Sequence, residues 1–277
     1  MPYIRLLRLQ DQYIQLGASF AAGFAAGIND PWVLWWAIAA TFLSITAFIV
    51  NELTDRGDVD RYSWNTIHVR EALDMRVVAV LFLLFSFFGL VLAWNIGLLW
   101  WALASYIIGV LYSLKPIRLK ARFGWDIAAQ LAVWWLLPVL AVWWKAAFIP
   151  TGWPMLLSTA PLFWSIFYPY VLSDFVADQK GGLRGTHIVL GMRRSLLFGL
   201  LLGVVAILLY VVFAVWTLMP WTLILVVIEV YVIGKYLAWL RMPSIASQTS
   251  SMQQTVRIVK PATQLLAPLI FFLWWFL

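Results

Sequence analysis

Residues 76–114 read RVVAVLFLLFSFFGLVLAWNIGLLWWALASYIIGVLYSL, and after Arg76 no charged residue occurs until Lys115. The run is interrupted only around Asn95 to Gly97. It therefore divides into two segments, near 76–94 and 96–114, each close to the roughly 20 apolar residues that a membrane-spanning helix needs. Neither alternates apolar and polar residues with period two, so a transmembrane barrel does not fit. The same reading, carried outward, finds runs near 12–29, 32–51, 126–148, 153–173, 194–217, 219–240 and 261–277. The expected fold is an all-α polytopic membrane protein with about nine transmembrane helices, forming a single membrane domain over 1–277. The first run has no small-residue cleavage site after it and reads as a retained span, not a signal peptide. The last run reaches Leu277, and no connection is long enough for a soluble domain.

Composition agrees. Of 277 residues, 64% are hydrophobic and 11% charged, where a soluble domain carries roughly 25% charged residues. Mean hydropathy is +0.89. A disordered protein, a secreted disulfide scaffold and a nucleic-acid module are excluded, so no nucleic-acid partner is expected. There is no cysteine, which removes thiolate metal sites and cysteine nucleophiles. Two histidines, His68 and His187, are too few for a haem or copper array.

The basic residues give an orientation. Arg5 and Arg8, then Arg56 to Arg76, Lys115 to Arg122, Lys180 to Arg194 and Lys235 to Lys260 all fall on one side of a nine-span topology, and Lys145 alone falls on the other. The positive-inside rule makes the crowded side cytoplasmic. The acids collect there too, which orientation does not require. Glu52, Asp55, Asp58, Asp60, Glu71 and Asp74 lie between the second and third spans, and Asp174 and Asp178 lie after the sixth. A span, an acidic segment and a span thus occur twice, hinting at two pseudo-equivalent halves.

The first acidic segment is Asn51-Glu52-Leu53-Thr54-Asp55-Arg56-Gly57-Asp58-Val59-Asp60. On a continuing helix, Asn51, Asp55 and Asp58 share one face, while Asp60 points away unless Gly57 turns the chain. In the second segment, Asp174 and Asp178 share a face, with Tyr170 one turn earlier. Carboxylates this close repel one another and are costly near hydrocarbon. A hard divalent cation with oxygen ligands offsets that, and Mg²⁺ suits best, since it is typically held by one or two carboxylates plus waters and phosphate oxygens. Two such sites facing each other would clamp a diphosphate. Lys180, Arg118, Lys120 and Arg184 are the candidate donors to its remaining oxygens. The competing reading pairs these acids with neighbouring arginines at the surface.

Asn-x-x-x-Asp after the second span and Asp-x-x-x-Asp after the sixth resemble the UbiA superfamily of intramembrane prenyltransferases. Tyr112-Ser113-Leu114-Lys115-Pro116-Ile117-Arg118-Leu119-Lys120 is similar to the family's Tyr-Ser-x-x-Pro-x-Arg-x-Lys segment, and Gly182, Thr186 and Leu190-Gly191 to its segment after the second motif. The family's first motif is Asn-Asp-x-x-Asp-x-x-x-Asp. Here Glu52 replaces its second residue and Val59 stands where its last Asp belongs, with Asp58 and Asp60 on either side. Helical geometry favours Asp58, whereas a one-residue insertion would favour Asp60. Gly185 stands as an insertion before Thr186. The segment Tyr112 to Asp126, with Lys120-Ala121-Arg122-Phe123-Gly124-Trp125-Asp126, most resembles the carotenoid-elongating branch.

The resemblance implies a helical bundle around a central cavity, open sideways to the lipid bilayer and capped by cytoplasmic loops. It implies Mg²⁺ held by Asn51, Asp55, Asp58, Asp174 and Asp178, with Asn51, Asp55, Asp174 and Asp178 as catalytic residues. An isoprenyl diphosphate would be ionised there and its prenyl group passed to a lipophilic acceptor: an aromatic quinone precursor, a carotenoid or a lipid. Arg118, Lys120, Lys180, Arg184, Tyr112 and Tyr170 are the expected substrate-binding residues. Aromatic faces stabilise cations, and Tyr170, Phe167 and Tyr112 are the candidates by position. Asp126 reads as a cap on the fifth span. Gln130, Glu229 and Gln264 either face the cavity or bond between helices. His68 reads as a loop base or a solvated residue, and His187 as structural. Two other functions compete: a terpene cyclase on the same scaffold, and a lipid transporter or binding protein without catalysis.

Overall fold

The computed structural model describes residues 3, 6–8, 13–55, 73–147, 152–217 and 221–257, and these form helices and turns without a strand. Asp58, Asp60, His68, Gln264 and the run at 261–277 lie outside the described residues. The helices are α1 (Tyr13–Ala25), α2 (Pro31–Asp55), α3 (Met75–Asn95), α4 (Leu99–Ser113), α5 (Trp125–Lys145), α6 (Gly152–Ser173), α7 (Phe175–Lys180), α8 (Thr186–Leu190), α9 (Met192–Thr217) and α10 (Trp221–Leu240), followed by helix α11 at 245–257. Each apolar run read between 12 and 240 falls on one of them. Among the described residues, four segments are long and apolar enough to cross a bilayer: α2, α3, α5 and Met192–Val212 of α9. Leu83 and Phe87 on α3, Leu201 and Leu208 on α9 and Val227 on α10 are exposed, giving outer faces suited to hydrocarbon.

Local chemistry sets the helix starts. Pro31 opens α2, where its missing N–H costs nothing, and the Asp30 carboxylate accepts the Trp32 N–H at 3.0 Å. Asp74 caps α3 by accepting the Arg76 N–H at 2.8 Å. This acid of the crowded connection therefore serves the helix start. In α5, Pro138 has no N–H to offer the preceding turn, and the helix widens just ahead of it into a π turn over Ala132–Leu136. The Pro138 carbonyl accepts the Trp36 indole N–H at 3.1 Å, joining α5 to α2.

The helices pack as two groups. α2 packs on α1, α3 and α4, around a core that includes Trp36, Leu43, Val142 and Trp143. α9 packs on both α6 and α10, around Trp164, Tyr168, Leu196, Tyr236 and Trp239. The π turn of α5 contacts α6 and connects the groups.

Two glycines shape the second group. A Cβ at Gly199 would lie 2.4 Å from the Tyr236 ring, and one at Gly203 would lie 2.3 Å from Glu229 Oε1. One turn apart on α9, they leave the room through which Tyr236 and Glu229 of α10 reach Ser165 on α6. There Tyr236 O–H donates to the Ser165 carbonyl at 2.9 Å and Ser165 O–H donates to Glu229 Oε2 at 2.8 Å. Pro169, four residues on, supplies no N–H for that carbonyl, so the tyrosine satisfies an acceptor that the helix cannot. Glu229 thus bonds between helices.

Candidate active site

A cavity of about 170 Å³ lies between the two groups, walled by the last turns of α2 and α6, the start of α5, and the connections beside them. Asn51, Asp55, Asp174 and Asp178 all line it, as do Lys120, Tyr112 and Tyr170. The two acidic segments, more than a hundred residues apart in sequence, are brought to one space.

On the first side, Asn51 and Asp55 occupy the final turn of α2. Lys120 comes from the short 3₁₀ turn Leu119–Ala121 and is buried. Its ammonium donates to Asn51 Oδ1 at 2.8 Å and also to Asp55 Oδ1. Arg118 Nη2 donates to that Asp55 oxygen at 3.1 Å. Ser113 O–H donates to Asn51 Oδ1 at 2.7 Å. Burial pulls the Lys120 ammonium below its ordinary pKa, while the Asp55 charge and hydrogen bond oppose that shift. Arg118 has φ +42°, a left-handed conformation that costs a non-glycine residue roughly 1 kcal/mol or more. Its ion pair with Asp55 helps to hold it.

On the second side, the helix read as continuous through both aspartates is broken. α6 ends at Ser173, Asp174 takes a turn conformation, and α7 begins at Phe175. The spacing survives the break, because the Asp178 N–H donates to the Asp174 carbonyl at 2.9 Å. Asp178 Oδ2 lies 2.8 Å from His187 Nε2, and His187 Nδ1 lies 3.9 Å from Asp126 Oδ2. Burial alone would push the His187 imidazole down, but the hydrogen bond to Asp178 and the nearby charges of Asp126 and Asp178 outweigh it, raising the group to about 9. Asp126 serves a helix other than its own: its oxygens accept the Thr186 N–H at 2.6 Å and the Thr186 hydroxyl, so it caps α8 from the start of α5. Gly185 is what lets these segments meet, since a Cβ there would stand 2.9 Å from the Lys120 carbonyl and 3.0 Å from Asp126 Oδ2.

Lys180 and Arg184 do not join the wall and are exposed. Lys180 follows Asp178 by two residues, about 200° around a helix, and so faces away from it. Arg184 follows Leu183, which turns inward to the cavity. Arg118 is not in the wall but is bonded to Asp55.

The sequence reading missed Arg8, counting it only for orientation. Arg8 lines the cavity, pairs with the buried Glu52 and lies 5.3 Å above the Phe48 ring. Leu6, two residues earlier, is buried against Ile45, Ile49 and Val78 and seats this segment. The replacement in the first motif was the available clue: a buried glutamate beside Asn51 demands a cation.

The remaining wall is aromatic. Trp134, placed by the π turn, meets Phe167 edge-on at 4.6 Å and Phe48 at 5.8 Å. Phe167 stacks on Tyr170 at 5.4 Å. Trp164 and Tyr168 add to the lining. Gln130 also faces in and donates to the Tyr112 hydroxyl.

Among the described residues, no three His, Cys, Asp or Glu side chains gather closely enough to hold a metal ion by themselves. Each side instead offers a pair of oxygen-bearing residues. That donor set fits Mg²⁺, which commonly takes one or two carboxylates and completes its shell with water and phosphate oxygens. The oxygens of Asn51 and Asp55 already converge on one cation, the Lys120 ammonium.

Fold and site together describe an all-helical protein with membrane-length helices and an oxygen-rich, cation-lined cavity floored by aromatic rings. The sequence model of the UbiA prenyltransferase family matches residues 16–260, and the chain belongs to that family. Its fold is similar to a UbiA homolog from Archaeoglobus fulgidus bound to DMAPP and Mg²⁺, with 19% identity, TM-score 0.70, and 98% of this chain and 99% of that one covered. A UbiA homolog from the same organism bound to GPP and Mg²⁺ matches with 20% identity, TM-score 0.68 and the same coverage. The apo UbiA homolog from Aeropyrum pernix K1 matches with 15% identity, TM-score 0.68, and 94% of this chain and 98% of that one covered. No curated protein sequence matches significantly.

Proposed function

We propose that the chain is an intramembrane prenyltransferase that ionises an allylic isoprenyl diphosphate and passes the prenyl group to a lipophilic acceptor. The observation that carries this reading is the meeting of Asn51 and Asp55 with Asp174 and Asp178 around one cavity that also holds a buried lysine and an aromatic wall. Membership of a prenyltransferase family supports it, as do the DMAPP, GPP and Mg²⁺ bound by the A. fulgidus homologs. We read the cavity as opening at the cytoplasmic ends of nine spans, following the distribution of basic residues.

In this reading Asn51, Asp55, Asp174 and Asp178 hold Mg²⁺, which when bound supplies positive charge to the departing diphosphate. Asp58 is the further residue that we assign to the first side. Lys120 and Arg8 donate charge-assisted hydrogen bonds to phosphate oxygens as negative charge grows on them, and Arg118 holds the diphosphate equally before and during ionisation. The allylic C–O bond breaks and its electron pair leaves with the diphosphate. Phe167, Trp134 and Tyr170 present ring faces to the allylic cation and exclude water from it. The acceptor's nucleophilic atom forms the new bond to carbon and then loses a proton. Lys180 and Arg184, facing outward, serve the approach of an anionic head group and not its final binding.

The test is product mass. Purified protein with Mg²⁺, geranylgeranyl diphosphate and a panel of phenolic, carotenoid and lipid acceptors should release diphosphate. One acceptor should gain a prenyl group and lose one hydrogen. A cyclic hydrocarbon formed from the prenyl diphosphate alone would replace the transferase with a cyclase. No diphosphate release under any condition would remove both.

A further inference from the structure

We infer that Lys120 is an exchangeable cation of the first acidic motif, holding the oxygens of Asn51 and Asp55 until an incoming ion takes them and the diphosphate takes the lysine. The inference deepens the prenyltransferase reading and rests on it for the identity of the diphosphate. Three observations carry it. The Lys120 ammonium sits on the two oxygens through which α2 would ligate an ion, 2.8 Å from Asn51 Oδ1 and in direct contact with Asp55 Oδ1. The lysine is buried in the cavity wall, so its charge is not screened by bulk water. Asp55 Oδ1 also accepts Arg118 Nη2 at 3.1 Å, so this carboxylate stays partly compensated when Lys120 moves.

A divalent cation cannot share those oxygens with an ammonium without strong repulsion. Lysine is suited to give way, being a compact charge on a four-carbon stem with free rotation. A diphosphate in the same cavity offers the ammonium new partners as it vacates the old ones. Metal and diphosphate must then bind with positive coupling, beyond what their direct contact supplies, and by linkage each strengthens the other equally. Ser113, whose hydroxyl also donates to Asn51 Oδ1 at 2.7 Å, fixes the amide while the cations change places. On the second side Asp178 is held by His187, which sits on a short helix capped by Asp126.

The test uses Mn²⁺ and inorganic diphosphate as probes on the full chain in detergent, with free Mn²⁺ read by electron paramagnetic resonance. Lys120→Met removes the competing charge. In the absence of diphosphate it should bind Mn²⁺ about tenfold more tightly than wild type, and with Mn²⁺ present it should bind diphosphate about tenfold more weakly. These opposite signs distinguish exchange from other roles. A structural lysine would weaken both, and a lysine that only binds phosphate would leave Mn²⁺ affinity unchanged; either result overturns the inference. Lys120→Gln, which keeps a polar tip for Asn51, repeats the measurement if the methionine variant does not fold. Asp55→Asn should abolish the gain in either background. A protein that shows the exchange yet never releases diphosphate from a prenyl diphosphate keeps this inference and loses the prenyltransferase reading. The reverse result loses only the exchange.

Discussion

Asn51 and Asp55 face two cations carried on one short connection, whereas Asp178 faces a histidine carried by the helix that follows it. The first pair is met by a flexible point charge and a guanidinium in a strained backbone; Asp178 is met by an imidazole whose other nitrogen lies 3.9 Å from Asp126. Both acidic segments follow a long helix, yet Asp55 and Asp178 are met by unlike partners. A flexible cation can be displaced, and a braced ring orients. The first half is therefore the adaptable side of the site and the second half the preset one.

The strongest challenge to that division removes one carboxylate from each side. Asp55→Asn and Asp174→Asn should each lower turnover by about 10³-fold, because in the proposed mechanism each takes charge from the centre that stabilises the leaving group. Circular dichroism should show both variants folded. If either retained turnover within about tenfold of wild type, the halves would not act together and the shared cavity would lose its chemical meaning.

A smaller effect sharpens the difference between the halves. Arg118→Ala removes a charge-assisted donor, a type worth about 1.5–3 kcal/mol, so it should raise the KM for the prenyl diphosphate by about tenfold or more while leaving kcat less changed. His187→Leu should instead lower kcat and weaken Mn²⁺ binding about tenfold, the usual scale for losing a partner that orients a metal ligand. His187→Gln, whose amide can replace Nε2 toward Asp178, should recover most of that loss. Identical kinetic signatures for Arg118→Ala and His187→Leu would erase the distinction between an adaptable and a preset side.

Much of the fold was legible because hydrophobic length is a local property. The runs between 12 and 240 needed no tertiary knowledge, and each falls on a helix. The acidic residues were legible because charges at span ends are few. What escaped the sequence was direction. Asp126 sits where a cap on its own helix is expected, yet its oxygens also reach Thr186, sixty residues away. Lys180 and Arg184 carry the right charge but are exposed, since charge alone does not say which way a side chain points. Arg8 enters the wall only because Leu6 seats the N-terminal segment on α2 and α3, a contact with no sequence periodicity behind it. His187 reads as structural until Asp178 and Asp126 are found on either side of it.

The preset side depends on the course of α6, and that dependence has its own test. Pro169 frees the Ser165 carbonyl one turn before Ser173 and Asp174, and Tyr236 supplies the missing donor across the gap left by Gly199. Tyr236→Phe should cost about 1 kcal/mol of stability, the usual net worth of a hydrogen bond, with a larger loss if the carbonyl stays unsatisfied. Pro169→Ala restores a backbone N–H that can reach Ser165. In that background Tyr236→Phe should cost measurably less, because the helix then satisfies its own carbonyl. Thermal unfolding of the four proteins in one detergent gives the coupling. Equal costs in both backgrounds would mean that the tyrosine packs against α9 without serving the proline, and the aim of Asp174 would then need another support.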